Sequence, residues 1–192
     1  EINLELCKKN NIGVVRRTTG GRAVYHDKKD FTYSIIAPIK IFNNNVDDAY
    51  KKICSWIVSA LNDLGIKSEL KNKNDIMADD KKISGNAAKL MNGIYLQHGT
   101  LIYGVDFKLM PKILNISEEL AKEKIASVKQ FKKLDREKIY SVLKKHFTEN
   151  KNVENSQLTK EELKMAKELA KTNYSSIKTK NLVLKNKGAC YV

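Results

Sequence analysis

The spacing of apolar and polar positions changes character along the chain. Over roughly the first hundred residues, short β-branched and aromatic runs stand between turn residues; beyond them the apolar positions recur at helical spacing. Ile2–Asn10 reads as a short helix, and Gly13–Arg17 as a short strand running into a turn at Gly20-Gly21. Arg22–His26 and Phe31–Ile36 read as strands, the second closed by Pro38. Asn45 is placed to cap an amphipathic helix, with Asp47 and Asp48 in its first turn, where the helix dipole favours acids. Tyr50, Ile53, Ile57, Leu61 and Leu64 form its apolar stripe, and Gly65 stands where a C-terminal glycine belongs. Ile66–Leu70 follows as a strand, and Asp75–Ala78 with Lys81–Ser84 as a hairpin turning at Asp79-Asp80. Ile94–Tyr103 is a longer strand broken at Gly99.

After this point the pattern is helical. Asp106–Leu114, Ser117–Ile125 and Asp135–Phe147 read as helices, and Thr148–Gln157 as a polar loop. Thr159 and Glu162 form a capping box that opens a further helix to about Ala170. The tail from Asn173 is weakly determined, either a strand pair or a frayed end. There is no internal repeat. The layout is α+β, a mixed sheet backed by helices, with a core over 1–147 and a helical extension of the same domain over 148–192.

A length of 192 residues suits one domain and a real core, and 42% hydrophobic residues argue against wholesale disorder. Lys plus Arg number 36 and Asp plus Glu 22, giving a formal charge of +14. Nucleic acid, an anionic substrate such as ATP, or an acidic protein partner would each suit that balance. The lysines are scattered rather than blocked, which argues against nucleic acid. Cys7, Cys54 and Cys190 have no metal-like spacing and read as reduced thiols, placing the chain in the cytoplasm. No apolar run approaches the roughly 18 residues that span a bilayer, and no signal peptide is visible.

Three blocks carry candidate chemistry. Arg16 to Asp27 packs two adjacent glycines between arginines: Gly20-Gly21 lets backbone approach a ligand and cradle an anion, and Arg17 and Arg22 add fixed charge. It lacks the Gly-Lys-Ser/Thr of a P-loop and the third glycine of a dinucleotide fingerprint. In the second block, Asn74-Asp75 precedes Lys81 to Ala87. Strand alternation puts Lys82 and Ser84 on one face and Ile83 on the other, and an inward lysine calls for an anion. Asp75 is a hard oxygen ligand suited to Mg²⁺, or simply a turn aspartate. The third block is His98-Gly99-Thr100-Leu101, where His98 is either a ligand contact or a satisfied core histidine and Gly99 marks a bulge or a close approach.

In order and spacing these blocks resemble the lipoate–protein ligase A family, over residues 3 to about 130. The resemblance implies the fold shared by biotin and lipoate ligases and an ATP-dependent ligase that makes lipoyl-AMP and passes the lipoyl group to a carrier lysine. It implies that Arg17 contacts the adenylate phosphate. Gly20, Gly21, Arg22, Ala23, Val24 and Tyr25, with Asn74, Ser84, Gly85 and Ala87, line the nucleotide cleft. Lys82 bridges the lipoyl carboxyl and the α-phosphate as the catalytic residue. His26, His98 and Gly99 meet the lipoyl group, and Asp75 helps hold Mg²⁺. The implied partners are acidic lipoyl carrier domains, either the glycine cleavage H protein or a 2-oxoacid dehydrogenase acyltransferase subunit.

Some positions depart from the family. Arg22 replaces a third glycine, and Lys29-Asp30 replaces Gly-Asn; both variants resemble the sister octanoyl- and lipoyl-transferases. Those use a cysteine in the loop before the lysine strand, and Glu69–Asn74 has none. Cys54 reads instead as a buried small hydrophobe. Family members also carry a strand, a helix and a Trp/Pro/Gly segment ahead of the residues seen here, so a non-catalytic lipoyl- or nucleotide-binding fragment is the third reading.

Overall fold

The computed structural model describes residues 2–174. Helix α1 (Leu4–Lys9) opens the chain, capped by the Asn3 side chain, which accepts from the Leu6 N–H. Strand β1 (Phe31–Pro38) leads through a 3₁₀ turn (Ile39–Phe42) into α2 (Val46–Asp63). Then come β2 (Glu69–Lys71), β3 (Asp75–Ala78), β4 (Lys81–Met91) and β5 (Ile94–Leu101). Helices α3 (Met110–Leu114), α4 (Glu118–Lys124), α5 (Val128–Phe131), α6 (Arg136–Thr148) and α7 (Lys160–Leu169) follow, and a π-helical turn (Ala170–Tyr174) ends the described residues. Among these, no helix is long and apolar enough to cross a membrane.

The five strands form one sheet in the order β1-β5-β4-β3-β2, with every pairing antiparallel. Of the parallel component expected of a mixed sheet, the described residues show a bridge from Lys82 to Ile125. Helix α2 begins and ends as its sequence dictates. Asn45 accepts from the Asp47 and Asp48 N–H groups. At the other end Gly65, at φ 78°, lets its own N–H reach Asn62 O and that of Ile66 reach Leu61 O, a Schellman close. That close draws Ile66 into the helix end, so β2 starts only at Glu69 rather than at Ile66.

Ile57, Leu61 and Ile66 pack on Ile76, Ile83 and Leu101 of the sheet, joined by Ile139 of α6. A second cluster gathers Ala49 and Ile53 of α2 with Phe42 and Tyr95. Burying each large side chain contributes about 1.5–3 kcal/mol, so this helical layer holds one face of the sheet firmly and leaves the other for a cleft. A polar chain crosses the core: Tyr95 Oη donates to Gln97 Oε1, Gln97 Nε2 donates to Tyr33 Oη, and Tyr33 Oη donates to Asn86 Oδ1.

Several expected elements differ. Neither Gly13–Arg17 nor Arg22–His26 forms a strand. Arg17 Nη2 donates to the carbonyls of Gly20 and Arg22, so these take a side chain as partner instead of a neighbouring strand and the segment curls into a loop. The helix expected from Asp106 starts at Met110, because the Asp106 carboxylate accepts from the Lys108 and Leu109 N–H groups and holds a turn first. β5 runs unbroken through Gly99, and β4 continues past Ser84 to a second hairpin at Asn92-Gly93, both at positive φ. The tail beyond Tyr174, with Cys190, lies outside the described residues.

Candidate functional site

The face of the sheet away from α2 is set by register. Residues directly opposite in an antiparallel pair share a face; Asp75 pairs with Gly85, Gly85 with Thr100, and Ala87 with His98, so these line one side together. Near the start of β4 the register slips: Ile76 faces Ser84, but Met77 faces Lys82. Ile83 is the extra residue of a β-bulge, and the bulge resets the alternation. Lys82 therefore joins Asp75 and Gly85 on the open face. Ser84 turns into the core, fully buried, with its Oγ unpartnered among the described residues. The expectation that Lys82 and Ser84 share a face, and with it the role of Ser84 in the cleft, is corrected by this bulge.

Lys82 is fixed from both sides. Its carbonyl accepts from the Ala126 N–H at 2.9 Å, and its ammonium lies 2.7 Å from Asp75 Oδ1. A Cβ on Gly85 would lie 2.7 Å from Lys82 Cε, so glycine at that position is what lets the lysine stem lie along the strand. The diglycine loop repeats the device. Gly21 has φ 112°, and a Cβ there would lie 2.6 Å from Arg17 Nη2. Arg17 is held by its own loop: Nε donates to Thr19 Oγ1 at 3.0 Å and Nη2 to Gly20 O at 2.7 Å. Its Nη1 is buried and makes no hydrogen bond among the described residues.

These groups converge on one cavity of about 180 Å³. Its walls include Arg17, Gly20, Gly21, Arg22, Ala23, Val24, Tyr25 and His26 from the loop, and Asn74, Lys82, Gly85 and Ala87 from the hairpin. His98 and Gly99 of β5 complete the set anticipated from sequence. Two anticipated residues stay off the wall: Ser84, and Asp75, which reaches the site only through Lys82. Asn86, Thr100 and Ile102 also line the cavity and Thr19 lies against Arg17; the first two and Thr19 stand inside the motifs, but nothing in their residue type marks them as site residues. Asn86 is also a strut. It exchanges hydrogen bonds with Asn74, whose Nδ2 donates to Asn86 O at 2.7 Å while Asn86 Nδ2 donates to Asn74 O at 2.9 Å. A second cavity of about 130 Å³ adjoins the first through Ala23, Val24, Tyr25, Lys82 and Ile102, and is completed by apolar groups such as Val105, Met110 and Leu114 together with Asp27 and Asp30.

The electrostatics suit an anion. His26 is pushed below the ordinary histidine range by burial, then by Arg17 and by His98; burial and then Arg17 do the same to His98. Both rings favour the neutral form, leaving Arg17, Arg22 and Lys82 as the standing cations of the wall. Cys54 is fully buried and pushed up to about 11 by burial, so it stays a thiol, as its place on α2 suggested. Cys7 is likewise buried.

The chain resembles proteins of known kind along most of its length. It is 31% identical to a lipoate–protein ligase of Bacillus subtilis over 191 residues, 92% of this chain and 56% of that one. It is 30% identical to lipoate–protein ligase 1 of Staphylococcus aureus over 184 residues, 91% of this chain and 55% of that one. An octanoyltransferase of Brevibacillus brevis is 29% identical over 213 residues, covering 92% of this chain and 77% of its own. The chain thus spans about half the length of these two curated ligases. Among solved structures, a lipoate–protein ligase A bound with ATP superposes with a TM-score of 0.82 at 28% identity, over 92% of this chain and 74% of that one. A bipartite lipoate protein ligase from Thermoplasma acidophilum, described with its E2 lipoyl domain, gives 0.81 at 26%, over 92% and 73%. The sheet, the cationic cleft and a match over residues 1–148 to the lipoyl protein ligase A/B catalytic domain agree, and the chain belongs to that family.

Proposed function

We propose that this chain activates a lipoyl acid with ATP and passes it to a lysine of a carrier domain. The observation that carries this reading is the convergence of Lys82 and the diglycine loop on one cavity. The lipoyl carboxylate oxygen bonds to the α-phosphorus of ATP as the bond to the β-phosphate oxygen breaks, releasing pyrophosphate and lipoyl-AMP. Arg17 and Lys82 hold the α-phosphate and neutralise charge gathering on its oxygens, so catalysis is largely positioning and electrostatics. Lys82 stands on the wall shared by the polar and apolar cavities, which suits a phosphate flanked by an adenine on the apolar side. The carrier amine then attacks the lipoyl carbonyl carbon; AMP leaves, an amide forms and the amine proton passes to solvent. Asp75 is a single carboxylate, and Mg²⁺ takes one or two carboxylates together with phosphate oxygens. Asp75 stands off the cavity wall and is paired with Lys82, so it would hold that ion only on release from Lys82, and the ion would add charge neutralisation at the phosphates.

Similarity to an octanoyltransferase supports a second reading, thiol-mediated acyl transfer. Against it, Glu69–Asn74 lacks the cysteine, and Cys7 and Cys54 are buried. Pyrophosphate release with lipoate and ATP separates the readings. The ligase releases it, and Lys82→Ala lowers the rate by roughly 10²–10³-fold, the scale of losing one preorganised charge donor. An unchanged rate in Lys82→Ala removes the role given to that residue. Transfer from an octanoyl-carrier without ATP, through an acyl-thioester seen by mass spectrometry, selects the transferase. Nucleotide binding without either reaction leaves a binding protein.

A further inference from the structure

Thr19 stands one residue before the diglycine turn, is 3% exposed, and is wedged between two cleft residues from different elements. Arg17 Nε, always protonated, donates to its Oγ1 at 3.0 Å. On the other side Oγ1 lies 2.7 Å from Nε2 of His98, a residue 79 positions away in β5. A hydroxyl has one proton to give and two lone pairs. Arg17 takes one lone pair, and Thr19 Oγ1 makes no other hydrogen bond among the described residues. With the His98 ring protonated on Nδ1, its Nε2 is a buried acceptor for the hydroxyl proton.

We propose that Thr19 is a positioning residue for the anion site: its hydroxyl straps the diglycine loop to β5 and fixes the tautomer of His98. The strap holds Arg17 Nε, and the loop carbonyls hold Nη2, which leaves Nη1, covered here and without a hydrogen-bond partner among the described residues, as the guanidinium nitrogen that a ligand would have to uncover. An arginine so held loses little freedom on binding, the benefit of preorganisation. The proposal rests on the reading above in taking that ligand to be the α-phosphate.

Two measurements test it. The ¹⁵N imidazole spectrum of His98 in the ligand-free protein should show Nε2 unprotonated in the native chain and in Thr19→Ser, which keeps the hydroxyl. Thr19→Val keeps the shape and removes the hydroxyl, and His98 should then populate both tautomers. ATP binding by calorimetry should weaken roughly tenfold in Thr19→Val and stay within about twofold in Thr19→Ser, the scale of one hydrogen bond to a charged group. The corresponding kinetic change falls on KM for ATP more than on kcat. If Thr19→Val does not fold, the native spectrum still decides: a proton on Nε2 of His98 overturns the proposal. So does unaltered ATP binding by a folded Thr19→Val protein. Native His98 with the expected tautomer but no lipoyl-AMP formation would instead count against the ligase reading and leave the strap standing.

Discussion

Gly99 lies in the middle of β5 between Tyr33 and Asn86, and a side chain at that position has no room. An added Cβ would come within 2.0 Å of Asn86 Oδ1 and 2.6 Å of Tyr33 Cε1. Both groups belong to the polar chain across the core, so neither yields without breaking a buried hydrogen bond. Gly99→Ala is expected to cost about 1–3 kcal/mol of stability, measured by denaturant unfolding, and to raise KM for ATP because Asn86 braces Asn74. The two cleft histidines yield a pH prediction. Both are held below their ordinary value of 6.5, so below that pH the unfolded chain takes up protons that the folded chain refuses. Their stabilising contribution is complete above about pH 6.5 and fades as pH falls through their lower folded values. Thermal unfolding at about pH 7.5 and 5.5 should show a drop in Tm that shrinks in His26→Gln/His98→Gln. Much of this chemistry could be read residue by residue, since Arg17, Lys82 and His98 are conspicuous by type. Thr19 gave no such signal: a threonine beside another threonine becomes a strap only because His98 arrives from 79 positions away.

Turns and caps are the elements most directly written in the chain. Asp79-Asp80 forms its hairpin turn with φ of 47° and 57°, a type I′ geometry that glycine adopts more readily at the second position. Asp80→Gly should stabilise by about 0.5–1 kcal/mol, the relief of the left-handed conformation outweighing the added chain entropy. The exposed Lys71–Asp80 ion pair lost with it contributes little. An unfolding midpoint unchanged or lowered would show that the aspartate is doing more than turning the chain. Asn92-Gly93 makes the second hairpin and is the strongest short-range turn signal present, though the strand before it read as ending at Ser84. The mixed composition of Gly85 to Lys89 hid the continuation, because both faces of this stretch are occupied. One face meets the core through Asn86 and Ala88, and the other meets the cleft through Gly85 and Ala87.

At the scale of the molecule, the formal charge of +14 is spread over the surface around a cleft whose own walls are cationic. Such a field speeds encounter with an acidic partner and is screened within about a Debye length. With an acidic carrier domain as acceptor, raising ionic strength from about 0.05 to 0.5 M should lower kcat/KM for the carrier by roughly tenfold. On the proposed reading, KM for lipoate should move by less than about twofold, since the cleft would shield that ligand from the salt. A parallel fall in kcat/KM for lipoate would locate the salt effect in the chemistry rather than in the encounter.

The sequence by itself determined what depends on near neighbours: the caps of α2 and α7, the turn at Asp79-Asp80, the α+β layout and the chemical stock of the three blocks. Tertiary structure decided which way those blocks point. Alternation along β4 assigned Lys82 and Ser84 to one face, and that assumption held only while the register with β3 stayed constant. The bulge at Ile83 belongs to the pair of strands rather than to either one. It sends Lys82 to the cleft and Ser84 to the core, a choice fixed by contacts across the sheet and beyond the reach of any local pattern.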